Sequence, residues 1–176
     1  MSLPPPPSYN QNQWDGTWKH QWDVEQILEY LRLIGKYNCL AGCLIKFFVP
    51  LDPDGTIAYE EIRAKEQKDT FVFLTRRKDG ELSFEFKFDE ETTVDAEYGR
   101  CKVLVTKGFD DSVKFRYEVL YNNGKSGDKD FQPKPGTVVT NTIRMHQFDG
   151  NRQQVTLEIN GGMISYEAQR VQQTKF

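Results

Sequence analysis

Arg170 occupies a setting that demands chemistry. In the C-terminal segment Ile164, Tyr166, Ala168 and Arg170 alternate with Ser165, Glu167 and Gln169. Side chains two apart on a strand share a face, so this guanidinium stands on an apolar one beside Tyr166. A lone charge there is costly and calls for an anion or a hydrogen-bond network. The planar fork suits a ligand carboxylate. An internal ion pair, or a side chain reaching solvent near the strand end, would meet the same need.

Other candidate groups carry less. Asp52-Pro53-Asp54-Gly55-Thr56-Ile57-Ala58-Tyr59-Glu60-Glu61 matches the later positions of an EF-hand calcium loop, with glycine, apolar residue and terminal glutamate in place. Pro50 falls where the first ligand is required and offers none. A turn entering a strand is the better reading. Cys39 and Cys43 lie one helical turn apart, but the spacing suits no zinc pattern, and they read as buried helix cysteines. Neither a phosphate loop nor a nucleophile elbow appears. The sequence therefore predicts a non-enzyme without cofactor or metal.

The elements that must position these groups begin with Trp14–His20, which reads as a strand. Ile27, Leu28, Leu31 and Ile34 recur at helical spacing within Gln26–Ile34, with Asp23 as N-cap and Gly35 as stop. A second helix over Asn38–Val49 ends at Pro50. From Ile57 onward, short strands follow at hairpin spacing. They include Thr70–Thr75, the alternating Phe84, Phe86 and Phe88, then Cys101–Lys107, Val113–Tyr121, Thr137–Phe148, the Val155–Ile159 run and a last strand ending near Gln172. Turns are expected at Lys78–Glu81 and Asp149–Asn151, and a polar insertion at Asn122–Gly136. About ten one-sided antiparallel strands must close or pack on themselves. A closed barrel capped by the helical hairpin fits better than two packed sheets.

The totals agree. A length of 176 residues with 38% hydrophobic and 13% aromatic side chains supports one core and one domain. We read residues 1–12 as a disordered proline-rich tail and 13–176 as the folded domain. A net charge of −3 gives no footprint for nucleic acid. The odd cysteine count and the uncharged, proline-rich N-terminus predict a cytoplasmic setting rather than a secreted one.

Three segments carry a resemblance. They are Asp15-Gly16-Thr17-Trp18-Lys19 ahead of two short helices, Phe84-Glu85-Phe86-Lys87-Phe88-Asp89-Glu90-Glu91-Thr92-Thr93-Val94-Asp95, and Phe148-Asp149-Gly150-Asn151 through Glu167-Ala168-Gln169-Arg170-Val171. On these the chain resembles the intracellular lipid-binding proteins, the fatty-acid-binding and cellular retinoid-binding group, from roughly Trp14 to Gln172. The resemblance implies an all-β, calycin-like fold: a ten-stranded antiparallel up-and-down barrel under a helix-turn-helix lid. It also implies two interior arginines and a tyrosine that hold a ligand carboxylate. Arg144 and Arg170 match the arginines, and Gln172 stands in place of the tyrosine. The pattern around Arg144 also allows Ile143 and Met145 to face inward instead.

The candidate portal comprises Phe47 and Phe48 on the second helix, which read equally as lid core, and the basic turn Arg76-Arg77-Lys78, where the resemblance implies a phenylalanine and the alternative is a solvated turn. The expected function is an intracellular carrier for a long-chain fatty acid or similar hydrophobic carboxylate. It would act as a monomer, with transient membrane contact at the lid. Two other readings stand beside it: a barrel with a structural or stress role and no lipid, and a calcium-responsive protein using residues 50–61.

Overall fold

A computed structural model of the chain describes residues 16–39, 42, 56–66, 69–77, 80–110, 112–122, 132–146 and 149–171. The chain opens with β1 (Gly16–Gln21) and α1 (Val24–Leu33), followed by β2 (Thr56–Ala64), β3 (Phe71–Arg77), β4 (Gly80–Phe86) and β5 (Glu91–Ala96). Then come β6 (Gly99–Lys107), β7 (Val113–Tyr121), β8 (Val138–His146), β9 (Asp149–Ile159) and β10 (Gly162–Arg170). The expected tail over 1–12, most of the second helix and the middle of the Asn122–Gly136 insertion lie outside the described residues.

The ten strands form one antiparallel sheet in the order β4-β3-β2-β1-β10-β9-β8-β7-β6-β5. The last strand returns to the first, with Trp18 opposite Arg170 and His20 opposite Ala168. This is the nearly closed up-and-down barrel expected from the alternation. Its break falls between β4 and β5, the two edges of the sheet. Phe88 sits across that break, bridging to Val105, and Asp89 N–H donates to Val105 O at 2.9 Å.

Period-two burial explains the closure. On β6 Cys101, Val103 and Val105 are buried, and on β7 Val113, Phe115, Tyr117 and Val119. Lys102 and Lys114 between them face outward. Each buried apolar side chain of this size stabilises by about 1.5–3 kcal/mol. Phe71, Phe73, Phe84, Phe86, Phe88 and Phe115 pack ring against ring, with Phe71–Phe88 at 4.9 Å and Phe73–Phe115 at 5.1 Å. Edge and tilted contacts of this kind add to the area term.

Helix α1 begins two residues before the apolar periodicity predicts, because Asp23 forms a capping box. Gln26 N–H donates to Asp23 Oδ1 at 2.8 Å, and Asp23 N–H donates to Gln26 Oε1 at 2.9 Å. The helix ends at the expected stop. Gly35 takes φ +71°, and Lys36 N–H turns back to Leu31 O at 2.8 Å. A second helical turn opens with Gly42 N–H donating to Asn38 O at 3.0 Å. Cys39, expected to be buried, is exposed there; Cys43 lies outside the described residues.

The lid is tied to β10 and to the turn before it. Gln26 Nε2 donates to Ser165 O at 2.7 Å, and Asn160 Nδ2 donates to Leu33 O at 2.9 Å. Gly162 has no side chain to displace Leu33, whose methyl groups occupy the space a Cβ would take. Asp149–Asn151 is the start of β9, not the turn its composition predicts, because pairing with β8 extends to His146 and Asp149 past an irregularity at Met145 and His146.

Candidate functional site

The barrel holds a cavity of about 410 Å³. Part of its wall is apolar: Phe73, Phe84, Phe115, Ile143, Val155 and Leu157. Trp22, Tyr30, Tyr98, Tyr117 and Tyr166 add an aromatic lining. The Trp22 and Tyr166 rings lie 4.8 Å apart, and Trp22 stands edge-on to Tyr30 at 5.7 Å. Burial pushes the Tyr98 phenol well above its ordinary range, so it remains a neutral hydroxyl. A size of this order and a mostly apolar lining with a few polar groups characterise small-molecule sites.

The polar groups fall on more than one wall. His20 on β1 and Glu60 on β2 both point inward and are nearly buried. His20 Nε2 lies 3.2 Å from Glu60 Oε1. The His20 ring stands 5.8 Å from that of Tyr166. Thr75 on β3 is the cross-strand neighbour of Glu60. Its Oγ1 is buried and has no hydrogen-bond partner. On the β8 wall Asn141 Oδ1 is in the same state. Glu97 and Gln132 complete the polar lining.

The residues singled out from the sequence separate. Tyr166 borders the cavity, as the parity of β10 requires. Arg170 shares that face, but it is the last residue of β10, at the end away from α1. Its guanidinium stacks 4.8 Å over the Trp18 ring beside Gly16 and does not border the cavity.

Arg144 corrects the expectation. Ile143 is the buried neighbour that faces in, and Arg144 stands on the outer face, half exposed and paired with Asp110. The Ser112 hydroxyl, donating to Asp110 Oδ1 at 2.6 Å, is the main reason that carboxyl is held below its usual range and stays charged. Arg144 and Arg170 therefore do not converge. Arg144→Gln is expected to leave lipid affinity within about twofold and to cost no more than about 1 kcal/mol of stability, the worth of an exposed ion pair. A binding titration showing a loss of about tenfold or more would return the guanidinium to ligand contact.

Gln172, Phe47 and Phe48 lie outside the described residues. Arg76 is exposed; its Nε donates to Glu81 Oε2 at 2.5 Å and its guanidinium lies 5.5 Å over the Tyr59 ring. Its neighbour Arg77 closes β3. In the calcium-like segment Thr56–Glu61 runs within β2, and Glu61 is held by Arg63 at 2.7 and 3.0 Å. The Arg63 hydrogen bonds keep that carboxylate below its usual range. The terminal glutamate of the loop is thus already committed to a cation of the chain itself.

The His20–Glu60 pair escapes a sequence reading of the site. His20 stands two residues from Trp18 and so shares its face. Glu60 carries a charge into an inward position beside Ile62, which blurs the alternation of β2 and hides which face is which.

No family model and no curated protein sequence matches the chain. Solved structures do match in fold. As-p18, an extracellular fatty acid binding protein, aligns with a TM-score of 0.62 at 15% identity, over 93% of this chain and 100% of its own. The Schistosoma mansoni fatty acid binding protein in complex with arachidonic acid aligns with a TM-score of 0.55 at 14% identity, over 92% of this chain and 98% of its own. Apo lipid binding protein 8 of Caenorhabditis elegans gives 0.56 at 15% identity, again over 92% and 98%. The chain has the fold of the fatty-acid-binding proteins, and the resemblance seen in its sequence holds at that level. Among the described residues no helix is long and apolar enough to cross a membrane.

Proposed function

We propose that this protein is a non-enzymatic carrier that holds one long-chain lipid inside the barrel. The observation that carries the reading is the 410 Å³ cavity inside the barrel, lined mostly by apolar and aromatic side chains. An acyl tail buried there gains about 0.8 kcal/mol per methylene, so the tail supplies most of the affinity. Proteins of the same fold described as fatty-acid-binding support the reading, among them the one solved with arachidonic acid. A long-chain fatty acid, the ligand expected from the sequence, offers a suitable tail. Its carboxylate would find neither Arg144 nor Arg170 at the cavity wall. The carrier is proposed to work as a cytoplasmic monomer, with the lid opening at a membrane donor.

The test is native mass spectrometry of the purified protein, followed by denaturation and identification of released lipid. Delipidated protein is then titrated with single-chain lipids of twelve to eighteen carbons. A stoichiometric lipid, or micromolar binding of any of these, is the expected result. No binding across the series would remove the carrier reading and leave the barrel a structural element.

A further inference from the structure

The polar lining of the cavity is acidic. Among the described residues that line it there is no lysine or arginine, while two glutamates, Glu60 and Glu97, are present. Arg170, which shares a face with Tyr166, is turned onto Trp18. The basic side chains of the neighbouring surface are spent outside: Arg76 on Glu81, Lys65 on Glu85 and Arg144 on Asp110. A fatty acid carboxylate set against Glu60 in this cavity would meet a like charge in a low-dielectric site, where like charges repel more strongly than in water.

The same groups suit the opposite partner. An ionised carboxylate only accepts hydrogen bonds, and has room for several. His20 Nε2 lies against one oxygen of Glu60 and leaves the other for a donor. Across the strand from Glu60, Thr75 borders the cavity and is 95% buried, and its Oγ1 has no hydrogen-bond partner. A buried hydroxyl in that state costs free energy until something pairs with it. A group that donates to Glu60 and meets Thr75 Oγ1 satisfies both at once, and a hydroxyl does so in both directions.

We propose that this cavity selects a lipid whose polar end donates hydrogen bonds, an alcohol or an ammonium, and discriminates against carboxylates, with Glu60 and Thr75 as the selecting residues. The proposal rests on the carrier reading, since it concerns the head group of the same ligand.

Three probes with one tail test it: dodecanol, dodecylamine and dodecanoate, titrated by calorimetry into the delipidated full chain at neutral pH. Dodecanol or dodecylamine is expected to bind at least about tenfold tighter than dodecanoate. The ranking of those two tells a neutral from a cationic head group. Glu60→Gln is expected to improve dodecanoate by about tenfold and to weaken dodecylamine, closing the gap. Thr75→Val is expected to weaken dodecanol. Dodecanoate binding as tightly as the others to the unaltered protein overturns the proposal and leaves the carrier reading intact. If none of the three binds, the proposal falls, and the longer-chain series decides the carrier reading. The ratios in the unaltered protein decide the matter even where a variant fails to fold.

Discussion

Replacing Trp18 with alanine is expected to lower stability by about 3–5 kcal/mol, the cost of deleting a large aromatic from a packed core. Trp18 has no solvent exposure and stands where the last strand closes on the first, opposite Arg170. The loss would take a fifth or more of the stability usual for a domain of this size. Part of it is the contact with the guanidinium at 4.8 Å, a cation–π pair worth about 0.5–2 kcal/mol when desolvated. Trp18→Phe keeps a ring under Arg170 and is expected to lose less. Urea titration checks this: the midpoint should fall while the slope is unchanged. A double-mutant cycle with Arg170→Gln isolates the stacking term. A loss below about 1 kcal/mol for Trp18→Ala would mean that closure between β1 and β10 does not depend on this ring.

That pairing also marks where the sequence was readable. The alternation of Ile164, Tyr166, Ala168 and Arg170 correctly placed one face of β10 inward, because a strand's period is a local property. What the guanidinium meets there is not local. It depends on which residue of β1 lies opposite, and Trp18 takes it. Arg144 was lost for a related reason: a resemblance carries a residue to a position, while one step of parity decides which side of the barrel it serves. Ile143 is the more apolar neighbour and took the inside. The His20–Glu60 pair was unreadable for a third reason. Its members come from different strands, and each alone looks like a flaw in a pattern. The barrel and its helical cap were legible because turns, caps and alternation all point the same way.

Asn141→Phe is expected to raise stability and abolish lipid binding together. Asn141 lies on β8 between Phe115 of β7 and Leu157 of β9, all three at the cavity wall. Its Oδ1 is buried without a partner, which costs about 1–3 kcal/mol. A phenylalanine removes that cost, extends the ring cluster around Phe115 and suits a strand better than asparagine. After the strain of fitting the ring, a gain of about 1 kcal/mol in the empty protein is expected. The ring also fills the space a tail would occupy, so affinity should fall at least a hundredfold, about 2.7 kcal/mol. Thermal unfolding of the delipidated variant and a lipid titration measure the two effects separately. Both falling together would mean that Asn141 belongs to a packed core with no room to fill. Raised stability with unchanged affinity would put the lipid somewhere other than this cavity. The opposite signs are the signature of a site held open for a ligand: the wall keeps an unfilled volume and an orphaned acceptor that a protein selected for stability alone would have closed.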